Sequence, residues 1–127
     1  MVQKFILGVL FTAISLSAYA GGTLADISLA IQAGNAKELV KYFDASVGIT
    51  INESEKVYSK NQSLQVINNF FTKNQPNSFS IIHQGSSGQG EYAIGTLVTS
   101  GGTYRTYLYM KDKGGSTLLQ EIRFELD

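Results

Sequence analysis

The sequence of 127 residues predicts an α+β fold in which N-terminal helices pack on a strongly curved antiparallel sheet. Three observations carry that expectation. Apolar residues recur at helical spacing from Leu24 to Phe43 and again from Leu64 to Phe71. The stretch "SVGITIN" and most of the chain after Pro76 alternate with a period of two. Glycine-rich breaks at Gly85–Gly90, Gly101-Gly102 and Gly114-Gly115 cut the C-terminal half into hairpins. A curved sheet with helices across its concave side makes a cone, and a cone can hold a pocket.

The first twenty residues stand outside that fold. Lys4 and the amino terminus supply positive charge, "FILGVLFTAISL" has the length of a signal-peptide core, and Ala18-Tyr19-Ala20 offers small residues for cleavage. Gly8, Thr12 and Ser15 interrupt the run, which falls short of the ~20 residues that span a bilayer. Residues 1–20 therefore read as a signal peptide and 21–127 as a single domain, periplasmic or secreted, with no stable membrane anchor after cleavage.

The chain has no cysteine, so it has neither disulfides nor thiolate metal sites nor a cysteine nucleophile. One histidine is too few for an ordinary zinc site, and we expect no metal and no cofactor. Once Lys4 leaves with the leader, ten acidic residues face nine basic ones without a basic run, which argues against nucleic acid as a partner.

In chain order, residues 24 to 44 predict two helical segments, the first closed by Gly34 and the second capped by Asn35. Val47, Ile49 and Ile51 alternate as a half-buried strand, and "EKVYS" turns back on it through residues 52 to 54. Ser59 and Gln62 stand at capping-box spacing before a third helix, whose stripe of Leu64, Ile67 and Phe71 is widened by Val66 and Phe70. Pro76 ends that helix. The glycine–serine loop after "SFSIIHQ" lacks the helix start and lysine of a phosphate cradle, and reads as a hairpin.

Turn geometry then sorts the faces. If Gly101-Gly102 is a two-residue turn, Ile94 lies opposite Tyr109 and Val98 opposite Arg105. If Gly114-Gly115 is another, Tyr109 meets Gln120 and Arg105 meets Phe124. One face collects Phe79, Ile81, His83, Tyr92, Ile94, Val98, Arg105, Tyr107, Tyr109, Gln120, Ile122, Phe124 and Leu126. The other takes Leu97, Thr106, Leu108, Met110, Leu119, Glu121, Arg123 and Glu125. Burying unpaired charge costs several kcal/mol, so the first face is expected beneath the helices. A one-residue bulge in the last hairpin would move Glu121 and Arg123 to the other side.

On this assignment His83, Tyr92, Arg105, Tyr107, Tyr109 and Gln120 are candidate ligand-binding residues inside the cone. His83 is the one group that titrates near neutrality, and Arg105 carries a planar fork suited to a carboxylate. Leu97, Leu108, Met110 and Leu119 form a candidate interface on the outer face, with Glu121 and Arg123 as a solvated ion pair beside them. The same tyrosines could equally fill a core, the histidine could be structural, and Arg105 could lie at the rim.

The segments "ADISLAIQAGNAKELVKYFD", "YSKNQSLQVINNFF", "HQGSSGQGEYAIGTL", "TYRTYLY" and "LLQEIRFE" resemble a family of exported Bacteroidetes proteins of unknown function. The likeness spans about residues 24 to 126. It implies a nuclear-transport-factor-2-like fold, also described as a cystatin-like cone, and implies no activity. The wider superfamily includes ketosteroid isomerases, scytalone dehydratase and limonene epoxide hydrolase. Their chemistries call for a carboxylate inside the cone, for paired histidines, and for an Asp-Arg-Asp set. The face assignment leaves no carboxylate inside, His83 is alone, and Arg105 has no evident aspartate partners, so the departures point away from catalysis. Two readings stay open, a small, mostly apolar ligand held in the cone or a homodimer formed through the outer sheet face. An isomerase- or hydrolase-type enzyme is a weaker third, which would need a carboxylate within hydrogen-bond reach of the tyrosines or His83.

Overall fold

The computed structural model describes residues 23–127, so the signal peptide expected over residues 1–20 lies outside the described residues. Helix α1 (Leu24–Ala33) starts in a capping box between Thr23 and Asp26 and ends at Gly34, whose φ of 65° is the left-handed conformation that glycine adopts at low cost. Asn35 caps the short α2 (Ala36–Val40), its side chain accepting from the Glu38 amide at 3.0 Å. Helical spacing extends on to Phe43, yet the helix stops at Val40 and Phe43 opens strand β1 (Phe43–Ile51). Asn52, with φ of 58°, turns the chain into β2 (Ser54–Ser59).

Helix α3 (Lys60–Lys73) begins in the expected capping box, with Ser59 and Gln62 bonding each other's backbone amides. Its buried face is Ser63, Ile67, Phe70 and Phe71, while Leu64 is left half-exposed. Strand β3 (Pro76–Ser87) follows, then β4 (Gly90–Thr99), β5 (Gly102–Lys113) and β6 (Ser116–Leu126). Among the described residues no helix is long and apolar enough to cross a membrane.

The six strands form one sheet in the order β2-β1-β6-β5-β4-β3. The expected α+β class holds, with one refinement. The sheet is mixed, because β1 runs parallel to β6 while the other neighbours are antiparallel. The Gly114-Gly115 turn is the expected two-residue hairpin. The preceding turn sits one residue earlier than expected, at Ser100-Gly101, since Thr99 pairs with Gly102.

The decisive feature is a bulge. Tyr109 pairs with Glu121 and Met110 with Leu119, leaving Gln120 as an extra residue on β6. This slip puts Ile122 and Phe124 on the same face as Leu108 and Thr106, and that face is the buried one. Helix α3 lies over it: the Phe70 ring stacks on Phe124 at 4.2 Å between centroids and meets Tyr104 edge-on at 5.0 Å. Ile27 and Ile31 of α1, Leu39 of α2, and Phe43, Val47 and Ile49 of β1 complete the core.

The expected choice of face is thus corrected for β4 and β5. Leu97, Leu108 and Leu119 are fully buried and Met110 is 2% exposed, so these four form part of the core and not a surface patch. Tyr92, Tyr107, Tyr109 and Arg105 point to the opposite side, free of the described helices, together with Glu121 and Arg123. A second bulge, at Ile82, turns His83 to that side too, away from Phe79 and Ile81.

Candidate functional site

The helix-free face carries a connected set of rings and charges built on four neighbouring strands. Tyr92 and Tyr109 are direct partners on β4 and β5, and Tyr107 stands diagonally from Tyr92. Two glycines shape their posture. A Cβ on Gly85 would lie only 3.0 Å from the Tyr92 ring, and one on Gly90 only 2.7 Å from that of Tyr109, so each ring lies down over bare backbone. The Tyr92 and Tyr107 planes are 21° apart with centroids separated by 6.3 Å.

His83 Nε2 and the Tyr92 hydroxyl are 2.8 Å apart, and the Tyr109 hydroxyl donates to the Ser87 carbonyl at 3.3 Å. On the other flank the Arg123 guanidinium sits 5.3 Å from the Tyr107 centroid, within cation–π range. Its Nε donates to Glu121 Oε2 at 2.9 Å. That hydrogen bond raises the Arg123 pKa further above its ordinary value. Partial burial raises the Tyr107 phenol, and the Glu121 carboxylate pushes the same way. The face is therefore a row, His83–Tyr92–Tyr107–Arg123–Glu121, half-buried except at the exposed His83 and fixed by aromatic contacts and two hydrogen bonds.

Of the six candidate ligand residues, five share this face: His83, Tyr92, Tyr107 and Tyr109 in the row or against it, and Arg105 exposed further along β5. None of these five lines the space beneath the helices, which is filled by the core side chains. An apolar ligand held there by the tyrosines is not what the geometry offers.

Gln120 stands apart. As the bulge residue it reaches β1, where its Nε2 donates to Asp44 Oδ2 at 3.0 Å. Lys113 Nζ approaches the same oxygen at 2.7 Å, and the Ala45 amide donates to Oδ1. The hydrogen bond from Lys113 and then that from Gln120 lower the Asp44 pKa to about 2. Among the described residues the hydrogen-bonded carboxylates pair with lysine, arginine, glutamine, hydroxyl or amide groups, and Glu121 lies on the tyrosine face directly opposite Tyr109.

Sequence reasoning missed three features. Tyr104 is buried, its hydroxyl donating to Asn74 Oδ1 at 3.0 Å, and it fixes the end of α3 to the sheet. Thr50, next to Arg123 on the open face, is 7% exposed and its hydroxyl has no partner among the described residues. An open, polar groove of about 240 Å³ lies at the β3–β4 and β5–β6 hairpin tips, with Ser86, Glu91, Met110 and Asp112 in its wall. The signal for the first was available as a phase slip: apolar residues step by three from Leu119 to Ile122 where unbroken alternation requires two.

Helices packed on one face of a mixed six-stranded sheet make an α+β domain whose fold is similar to that of solved NTF2-like proteins. The family of the domain of unknown function DUF4783 matches residues 24–125, and the chain belongs to that family. Two solved members of it are similar throughout. The protein from Bacteroides uniformis ATCC 8492 is 24% identical, with a TM-score of 0.79 over 84% of this chain and 98% of that one. The protein from Bacteroides ovatus ATCC 8483 is 28% identical, with a TM-score of 0.78 over 83% of this chain and 96% of that one. An NTF2-like protein of unknown function from Cytophaga hutchinsonii ATCC 33406 shares the fold at 10% identity, with a TM-score of 0.58 over 82% and 86% of the two chains. No curated protein matches the chain in sequence.

Proposed function

We propose that the chain is an exported assembly module that pairs with a second copy through the helix-free face of its sheet. The observation that carries this reading is the row of half-buried tyrosines on β4 and β5, with Arg123 held against Tyr107, on a face that no described helix covers. Tyrosine and arginine are the residues that concentrate at interface centres, because each brings a large contact area and a polar tip. Charge supports self-pairing. Arg105 and Lys111 lie on β5, while Glu121 and Glu125 lie on β6, with Glu55 beyond them on β2. A two-fold axis running between stacked sheets, along the β5–β6 seam, lays the acidic strand of one copy over the basic strand of the other.

Light scattering on the purified protein tests the reading. The protein is expected to be heavier than one chain, and Tyr107→Lys, which puts an unpaired cation at the centre of the face, should reduce the assembled mass by half or more. A native protein that stays monomeric at high concentration, or a mass indifferent to Tyr107→Lys, overturns it.

A further inference from the structure

The strand register lays the open face out in rows that cross the whole sheet. In one row His83, Ile94, Tyr107, Arg123, Thr50 and Glu55 stand side by side from β3 to β2. The next row holds Gly85, Tyr92, Tyr109, Glu121, Gly48 and Val57. Each row is its own complement when taken from the opposite end. His83 is matched by Glu55 and the Tyr107 ring by the Arg123 guanidinium. In the second row the Tyr109 hydroxyl is matched by the Glu121 carboxylate, and the Tyr92 ring by the bare backbone of Gly48. Val57, 74% exposed, is matched by Gly85 and the Tyr92 ring that lies on it. A two-fold axis parallel to the strands, over the β5–β6 seam, reverses strand order and leaves position along the strands unchanged. Each row of one copy then lies over the same row of the other, and any offset along the strands would turn the axis into a screw, which does not close a dimer.

We propose that Glu55 of the second copy closes on His83, so that a carboxylate–imidazole–phenol chain, Glu55–His83–Tyr92, spans the two copies at each end of the pair. The inference rests on pairing through the tyrosine face, and adds to it the register and the residues that meet. His83 has a nitrogen to spare. Its Nε2 lies 2.8 Å from the Tyr92 hydroxyl, while Nδ1 makes no hydrogen bond among the described residues. Nδ1–H can therefore donate to the carboxylate while Nε2 accepts from the phenol. Glu55 is exposed and forms no salt bridge among the described residues. Stacked sheets lie about 10 Å apart, a gap that a glutamate and a histidine reaching toward each other can span. A shift of two residues along the strands would instead set His83 against Val57 and Glu55 against Gly85, leaving both polar ends without a partner.

Cross-linking tests the register apart from the pairing itself. The chain has no cysteine, so one introduced thiol is unique, and positions 83 and 55 are both exposed. His83→Cys and Glu55→Cys are treated separately, and then mixed in equal amounts after dilution and reconcentration, with a bismaleimide spanning about 10 Å. Within one copy, and between like positions of a pair, five strand spacings of about 4.8 Å keep the thiols out of its reach. Each variant alone should stay single, and the mixture should give several-fold more covalent dimer, with the second His83–Glu55 contact of that dimer native. Adding Tyr107→Lys to both variants should abolish the product. Covalent dimer from either variant alone, or a product that survives Tyr107→Lys, overturns the proposal. So does a mixture without covalent dimer while light scattering still shows pairs that Tyr107→Lys dissolves, and the face reading then stands. A monomeric native protein removes both.

Discussion

Asp44 sits where three donors converge, and its protonation is tied to folding. The ammonium of Lys113, the amide of Gln120 and the backbone of Ala45 all favour the charged carboxylate, which holds its pKa at about 2. A carboxyl group depressed on folding stabilises the native state above its unfolded pKa, near 3.9, and that contribution fades as pH falls toward 2. Lys113 is half exposed, so solvent screens the pair and the contribution is on the order of 1–2 kcal/mol. Asp44→Asn should lower the urea midpoint accordingly at pH 7 and flatten the loss of stability between pH 4 and pH 2. An unchanged pH profile would show that the cluster is not formed. Thr50 makes the opposite case. Its buried hydroxyl has no partner among the described residues, so Thr50→Val, which keeps the shape, should stabilise the fold by about 0.5–2 kcal/mol in the same measurement. A loss of stability would mean that the hydroxyl is bonded after all.

Elements bounded by local chemistry were legible in the sequence. Ser59 with Gln62, Gly34, Asn35 and the Gly114-Gly115 turn each act within a few residues, and each is where its residue type placed it. Features set by tertiary pairing were harder to read. Phe43 continues a helical spacing but belongs to a strand, because the chain there pairs with β6. The Gln120 bulge serves a contact with Asp44 that is 76 residues distant. Its role can be tested by removal. Deleting Gln120 restores simple alternation in β6 and leaves Ile122 and Phe124 on the buried face, because Glu121 then follows Leu119 directly and keeps its place opposite Tyr109. What is lost is the hydrogen bond from Gln120 to the Asp44 carboxylate, a contact to a charged group that contributes about 1.5–3 kcal/mol. The deleted protein should keep a cooperative urea transition with a lowered midpoint; loss of that transition would mean that the register depends on the bulge residue.

At the scale of the whole molecule, charge was a sound guide to β6 and the assumed register between β5 and β6 was the misleading step. Placing Glu121 and Arg123 outside was correct, but they carry Tyr107 and Tyr109 with them, because one extra residue on β6 reverses its phase relative to β5. The fold class and the clustering of His83 with Tyr92 were readable; the side of the sheet on which the cluster lies was not. The consequence is a core of leucine, isoleucine and phenylalanine under the helices and a face of tyrosine, arginine and glutamate left open. If that face pairs with itself, acid over base, complementary charge reversals must rescue one another. Arg105→Glu with Lys111→Glu makes one variant acidic on this face, and Glu55→Lys with Glu125→Lys makes the other basic. Native mass spectrometry of the two proteins, separately and mixed in equal amounts, reads the result. Weakened self-pairing in each and a dominant mixed pair on combining them is the predicted outcome; no preference for the mixed pair would contradict the account.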